Sequence, residues 1–382
     1  TSGIYIWGAQ LSNSASVDPY LYNPQAAPTS TAYYGPRFDY NPTTLAANGL
    51  LIEQQSTNLL TYSEDFSNAA WTKGNASITA NATTAPDATT TADKLVENTA
   101  FAEHLVVQSG LGTGSKTASI YFKAAERTKA YIYFFNATDG VVVSYFDLSA
   151  GTVISGAGVI TSVGGGWYRC SLSRTATASD GLYFGPCINA GATGYTGDGT
   201  SGVFLWGAQL EAGSFATSYI PTVASQVTRA ADNASMLGDN FATWYNQTQG
   251  AFLVAADSPG VSGAANIIAV DDGTTSDRIR LLTDVLDPKI IVTDGGVTQA
   301  NIDTGAIVAR QTFSMSAAYA LNDIAACLDG GAVGTDSVAT IPTVTTLRFG
   351  ADSVGNFLNG HVQSFSYYPT RLPNATLQSI TS

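Results

Sequence analysis

One short peptide comes close to occurring twice. Val203 to Glu211 reads V-F-L-W-G-A-Q-L-E, and Ile4 to Leu11 reads I-Y-I-W-G-A-Q-L. Tyr20 and Tyr219 keep the same spacing behind the two tryptophans, Trp7 and Trp206. A repeat at this interval is far longer than a solenoid unit, so it marks whole domains. Within it, Val203, Leu205 and Gly207 alternate with Phe204 and Trp206. That is the period of a strand, and both of its faces are apolar. Such a strand is expected to be buried and to close a β domain. On the same reading the chain begins on the closing strand of a module whose body lies upstream. Thr1 in place of Met fits a piece of something longer.

The alternation recurs along the chain. Lys94–Glu97, His104–Gln108, Thr117–Lys123, Ala130–Phe135, Val141–Leu148, Trp167–Ser173, Leu182–Ile188 and Val203–Leu210 read as strands separated by Gly, Asn, Asp and Ser. That spacing predicts a sandwich, and about eight strands predict a jelly roll. A second set follows: Ala251–Ala256, Asn266–Val270, Arg278–Thr283, Lys289–Thr293, Gln311–Tyr319, Ile324–Leu328, Thr345–Phe349 and His361–Tyr368. The fold class is therefore all-β, as tandem antiparallel β-sandwich modules. Residues 1–60 read as a closing strand plus a Pro- and Tyr-rich connection, 61–222 as the first module, 223–245 as a connector and 246–382 as the second module. Asp329-Gly330-Gly331 predicts a hairpin turn, and a short C-terminal helix is expected with Asn374 as its N-cap.

Charged residues make up only 12% of the 382, about half the usual share of roughly 25%. Net charge is −13, and the 16 basic residues are scattered. A phosphate backbone would repel such a chain, so nucleic acid is a poor partner. No apolar run reaches the roughly 18 residues of a membrane span, so no membrane insertion is expected. A strongly anionic polysaccharide is disfavoured unless a metal bridges or the site is locally positive. Cys170, Cys187 and Cys327 have no framework spacing and are expected as buried free thiols.

Several stretches carry a family resemblance. They are G-L-L-I-E at Gly49–Glu53, T-N-L-L from Thr57, G-G-G-W-Y-R-C at Gly164–Cys170 and Y-T-G-D-G-T-S-G-V-F-L-W-G-A-Q-L-E at Tyr195–Glu211. Together, over roughly residues 36–236, they resemble modules of tailed-bacteriophage tail fibres and receptor-binding proteins, which in that family are carbohydrate-binding-module-like jelly rolls. C-L-D-G-G at Cys327–Gly331, L-R-F-G at Leu347–Gly350 and the run Phe357–Pro373 make the C-terminal part similar to concanavalin A-like or laminin-G-like sandwiches. The resemblance implies a homotrimeric, virion-borne protein made in the bacterial host cytoplasm. It would be attached to other virion tail proteins and would bind bacterial surface polysaccharide, either capsule or lipopolysaccharide. A polysaccharide-degrading tailspike and a purely structural fibre segment are the alternatives.

Catalytic patterns are not found. His104 and His361 lie near no G-x-S-x-G elbow, and no paired histidine or cysteine motif marks a metal site. Asp271, Asp272, Asp277 and Asp294 crowd two loops, where oxygen ligands could take calcium, but the EF-hand spacing is not met and solvated turns are expected. Otherwise no cofactor is implied. Ser63-Glu64-Asp65-Phe66-Ser67 resembles the sialidase Asp-box, but Ser67 stands where glycine belongs. Binding fits better: sugars are recognised by aromatic faces with amides and hydroxyls around them, and the chain has 19 Tyr and 5 Trp. Trp167 and Trp206 sit in apolar motifs and are expected in the core. Trp71 follows a polar run and is expected to be exposed. Tyr131, Tyr133 and Phe135 share one strand face and Ile132 and Phe134 the other. If the aliphatic-containing face is inside, the tyrosines line an outer or concave surface. The candidate carbohydrate-binding residues are thus Trp71, His104, Tyr121, Tyr131 and Tyr133. His361 is expected as a surface polar residue.

Overall fold

The computed structural model describes residues 36–189, 191, 193–260 and 263–382. The first copy of the repeated peptide, Ile4–Leu11, lies outside the described residues. What is described is built almost wholly of antiparallel sheet, in two sandwiches, as the period-two pattern predicts.

The first sandwich has two six-stranded sheets. One, here the tyrosine sheet, runs Thr152–Ser155, Gly140–Asp147, Lys129–Asn136, Gly181–Pro186, Leu105–Ser109, Thr72–Gly74 in spatial order. The other, the signature sheet, runs Val159–Ser162, Trp167–Ala176, Gly114–Ala124, Gly202–Ala212, Ala92–Glu97, Ala76–Thr83. Their inner faces meet in a core that includes Ile120, Phe122, Ile132, Phe134, Phe146 and Phe184. Each such side chain contributes about 1.5–3 kcal/mol by leaving water.

The signature peptide obeys the alternation for half its length only. Val203 and Leu205 face the core, but so do Ala208 and Leu210, so the parity slips by one residue. The slip is a bulge between Trp206 and Gln209, where pairing with Gly114–Ala124 shifts. Gly207 carries it in a left-handed conformation, φ 62°, and a Cβ there would lie 2.9 Å from the Tyr121 ring. The two polar residues of the motif turn out to be structural. Gln209 and Glu211 are fully buried. Glu211 accepts from the Ser56 hydroxyl at 2.5 Å and from the Thr217 N–H at 3.0 Å. Asn58 of the T-N-L-L stretch donates to the Ala208 and Ile220 carbonyls and accepts from the Leu60 and Leu210 N–H groups. The two motifs thus form one latch, where the inbound strand Ser56–Asn58 pairs with the outbound strand Val227–Arg229.

That latch has a topological consequence. Phe38–Tyr40 and Ala47–Ile52 fall in the stretch read from the sequence as a connection, where the alternation of Gly49–Glu53 marks a short strand; they are the outermost and the next strand of a sheet of the second sandwich, with Leu50 opposite Val362 and Ile52 opposite Gly360. They extend a seven-stranded sheet through Gly360–Tyr368, Gln249–Ala256, Phe313–Ala320 and Ile324–Leu328 to Gly334–Asp336. Facing it is a six-stranded sheet ordered Ala234–Leu237, Thr346–Phe349, Ala264–Asp271, Arg278–Asp284, Asp287–Asp294, Val297–Asp303. The first sandwich is therefore an insertion in the second. At the junction Arg37 donates to Asp232 (2.8 Å), Ser218 (2.9 Å) and Glu53 (3.0 Å), and Glu53 also accepts from the Ser218 N–H at 2.8 Å.

Smaller expectations divide. All three cysteines are buried and free. Asp329 and Gly330 are both left-handed, as a type I′ turn requires. The helix Asn374–Ile380 forms, but Pro373 holds the cap position with no side-chain bond and Asn374 is its first residue. His361 is not a free surface residue: its Nδ1 lies 2.8 Å from Asp257 and its Nε2 2.9 Å from Asp39.

Candidate functional site

Strand Lys129–Asn136 positions the aromatic residues. Ile132 and Phe134 enter the core, so Tyr131, Tyr133 and Phe135 face outward from the tyrosine sheet. Register then lines up partners from three strands. Tyr131 lies opposite Tyr145 and Gly185, Tyr133 opposite Val143 and Tyr183, and Phe135 opposite Val141 and Gly181. The rings stack: Tyr133 on Tyr183 at 4.3 Å and 17°, Tyr131 on Tyr133 at 5.6 Å and 15°. Gly185 makes this possible, because a Cβ there would sit 2.7 Å from the Tyr131 hydroxyl oxygen and 2.2 Å from the His104 carbonyl.

The ladder is sunk at one end and open at the other. Tyr131 is fully buried among Tyr145 and Cys187. Tyr133 and Tyr183 are half-buried, and Phe135 is 42% exposed. Glu103 forms the polar rim. It accepts from the Tyr133 hydroxyl at 3.0 Å and from the Thr193 hydroxyl. Burial first, then the Glu103 carboxylate, hold the Tyr133 phenol protonated far above its ordinary range. Burial does the same to Tyr131, whose hydroxyl has no hydrogen-bond partner among the described residues. Beside them, burial opposes ionisation of Glu97, but bonds from Arg127 (2.9 Å), Tyr195 (2.6 Å) and the Asp198 N–H (2.9 Å) prevail and hold its carboxyl below the usual range.

The sequence-derived set is thereby split. Tyr131 and Tyr133 share the face, one as its buried base and one as part of its open surface. Trp71 does not belong to it: it is 1% exposed, packed on Phe66 and Phe184, with its indole N–H on the Tyr62 carbonyl. The polar run before it forms turns that cap the sandwich, which is why local polarity misled. His104 is also fully buried, with its two ring nitrogens against the Asn75 and Tyr195 carbonyls. It pins the ribbon formed by Phe101–Glu103 and Gly194–Thr196 and cannot meet a ligand. Tyr121 lies on the outer face of the opposite sheet, buried with Trp167, Trp206 and Ala85. Those tryptophans are buried as expected, but in this satellite cluster rather than between the sheets. Tyr183 and Phe135 were legible from their alternation with core residues. Glu103 and Thr193 arrive through the ribbon and carry no local signal.

This arrangement can stack a sugar ring and accept bonds from its hydroxyls. Among the described residues no group of three or more His, Cys, Asp or Glu is placed to hold a metal ion. The loop aspartates have local partners: Asp271 the Arg348 guanidinium at 2.9 Å, Asp272 the Thr274 hydroxyl at 2.7 Å and Asp277 the Gly295 N–H at 2.9 Å. No helix among the described residues is long and apolar enough to cross a membrane.

No protein-family profile matches the chain, and comparison with curated proteins gives no match. Among solved structures the chain is similar to the CBM40 of Ruminococcus gnavus IT-sialidase bound to alpha2,3 sialyllactose, at 13% identity and a TM-score of 0.33, over 37% of this chain and 88% of that one. It is similar to the receptor binding domain of botulinum neurotoxin mosaic serotype C/D, at 12% identity and 0.31, over 39% of each. It is also similar to domains LG4-5 of the mouse laminin alpha1 chain, at 11% identity and 0.29, over 69% of this chain and 84% of that one. At these values no residue role follows from any of them, and what stands for this chain is its own architecture, a pair of antiparallel β-sandwiches.

Proposed function

We propose that the chain is a non-enzymatic receptor-binding part of a bacteriophage tail fibre. It holds bacterial surface polysaccharide, capsule or lipopolysaccharide, on the outer face of the tyrosine sheet. One observation carries this reading: stacked tyrosine rings surface beside an exposed phenylalanine, with a carboxylate at their rim. Sugar C–H faces stack on such rings, and sugar hydroxyls donate to such a carboxylate. Placing a homotrimer in the virion, joined to other tail proteins, rests on the resemblance of the signature motifs. Three weak sites per trimer would reach useful avidity.

The test is to incubate the purified protein with host-strain capsule and lipopolysaccharide and then size both glycan and complex. Bound glycan of unchanged length, lost in Tyr183→Ala, is the expected result. Shortened glycan would make the protein a depolymerase. Neither binding nor cleavage would make it a structural spacer.

A further inference from the structure

The tyrosine ladder has an electrostatic character that its own sheet does not set. On the outer face, the strand rows through Tyr131, Tyr133 and Phe135 hold only Tyr, Phe, Val, Gly, Ser and Thr. The next row places Lys129 opposite Asp147, two charges of opposite sign. The sheet thus brings no net charge to the ladder.

The charge comes from the ribbon. Pairing of Phe101–Glu103 with Gly194–Thr196 sets Glu103 opposite Gly194, and its carboxylate reaches the Tyr133 hydroxyl at 3.0 Å and the Thr193 hydroxyl. Both of these donors are neutral. The glutamates that form ion pairs among the described residues are Glu53, Glu97 and Glu126, and Glu103 is not one of them. Arg127, 5.3 Å from the Tyr195 ring of the same ribbon, is committed to Glu97 at 2.9 Å. With about four lone-pair sites on its two oxygens, the Glu103 carboxylate keeps capacity for a further donor.

Aromatic rings surround that carboxylate. Tyr183 stacks on Tyr133 and leans over Gly181, where a Cβ would lie 2.8 Å from its ring. Phe101 is the next residue on the Glu103 side of its strand and is 79% exposed. Ring faces attract cations, and so does a carboxylate; neither recruits an anion.

We propose that the ladder's ligand is an amino sugar with an unacetylated amine. The ammonium is held by Glu103 beside the Tyr133 and Phe101 rings, and the sugar ring lies over Tyr133 and Tyr183. An ammonium supplies only donors, which is what an unpaired carboxylate lacks. This rests on the ladder being the glycan site and narrows what it takes: acidic sugars share the sign of Glu103 and are turned away.

The test uses the full chain with oligoglucosamine, its N-acetylated counterpart of equal length and oligogalacturonate, at a pH that keeps the amines protonated. The unaltered protein should bind the amine form about tenfold or more tightly than the acetylated one, and the galacturonate most weakly. The preference should collapse in Glu103→Gln. Because Glu103 anchors the ribbon, Phe101→Ala at an exposed position is the second variant, and it should lower the preference about threefold. General attraction of a cation to a chain of net charge −13 would survive either substitution, so an intact preference in both variants would overturn the proposal. So would equal or tighter binding of the acetylated or the acidic form. If none of the three binds while host polysaccharide still binds through Tyr183, the amino-sugar assignment falls and the ladder stands. If host polysaccharide binding is also indifferent to Tyr183→Ala, both fall.

Discussion

The two outer faces of the first sandwich carry the same kinds of side chain and put them to opposite uses. On the tyrosine sheet, aromatic rings form a ladder that rises to solvent at Tyr133, Tyr183 and Phe135, with Glu103 at its rim. On the signature sheet, Tyr121, Trp167 and Trp206 are roofed over: Trp206 donates to Thr91, Trp167 to the Thr84 carbonyl, and Tyr219 packs across the top. An aromatic residue alternating outward from a sheet is therefore not yet a binding residue. What decides is whether a distant segment covers it.

The largest expected effect separates the two faces. Trp206→Ala should cost about 3–5 kcal/mol of stability by opening a cavity under the roof, read as a lower midpoint in urea. Tyr183→Ala, at the open ladder, should lose glycan binding by tenfold or more while its midpoint moves much less. If Trp206→Ala unfolded no sooner than Tyr183→Ala, the contrast between sealed and open faces would be broken.

The ladder's two ends can be told apart more finely. Tyr131→Phe deletes a buried hydroxyl that lacks a partner, so it should leave stability unchanged or raise it by about 1 kcal/mol. Tyr133→Phe deletes the bond to Glu103 and should cost about 1 kcal/mol. Equal losses in both would mean that the Tyr131 hydroxyl has a partner after all.

The smallest effect concerns pH at His361, on a strand of the second sandwich. Burial lowers the His361 pKa, but the bonds to Asp257 and Asp39 outweigh it, and the result lies above the ordinary 6.5. A group raised on folding stabilises most below its unfolded value, and that contribution is lost as pH rises through the folded one. Stability should therefore decline modestly above about pH 6.5, and His361→Gln should abolish this decline. Thermal unfolding followed from pH 5 to 9 in both proteins checks it; parallel curves would remove His361 from the account.

Much of the architecture was legible because strand period is local. Alternation located the central strands of both sandwiches to within three residues at each end, since their side chains must divide between core and exterior. The edge strands were missed for the converse reason. Ala76–Thr83, Thr152–Ser155 and Val159–Ser162 expose most of their residues and need no apolar rhythm. Phe38–Tyr40 is a three-residue outermost strand with two exposed residues, paired only with Ala47–Ile52, and it too shows no apolar rhythm.

The candidate site was half legible. That Tyr131 and Tyr133 lie on the face opposite Ile132 and Phe134 is a matter of parity, and parity belongs to the sequence. Which face is inside, where Glu103 stands and that Trp71 and His104 are buried depend on packing between segments distant in sequence. The sequence by itself determined the sheets, the turns and the two-sided character of each strand, because these follow from backbone sterics and a two-residue repeat. Only the tertiary structure decided what covers each face, because burial is a property of the partner that packs there.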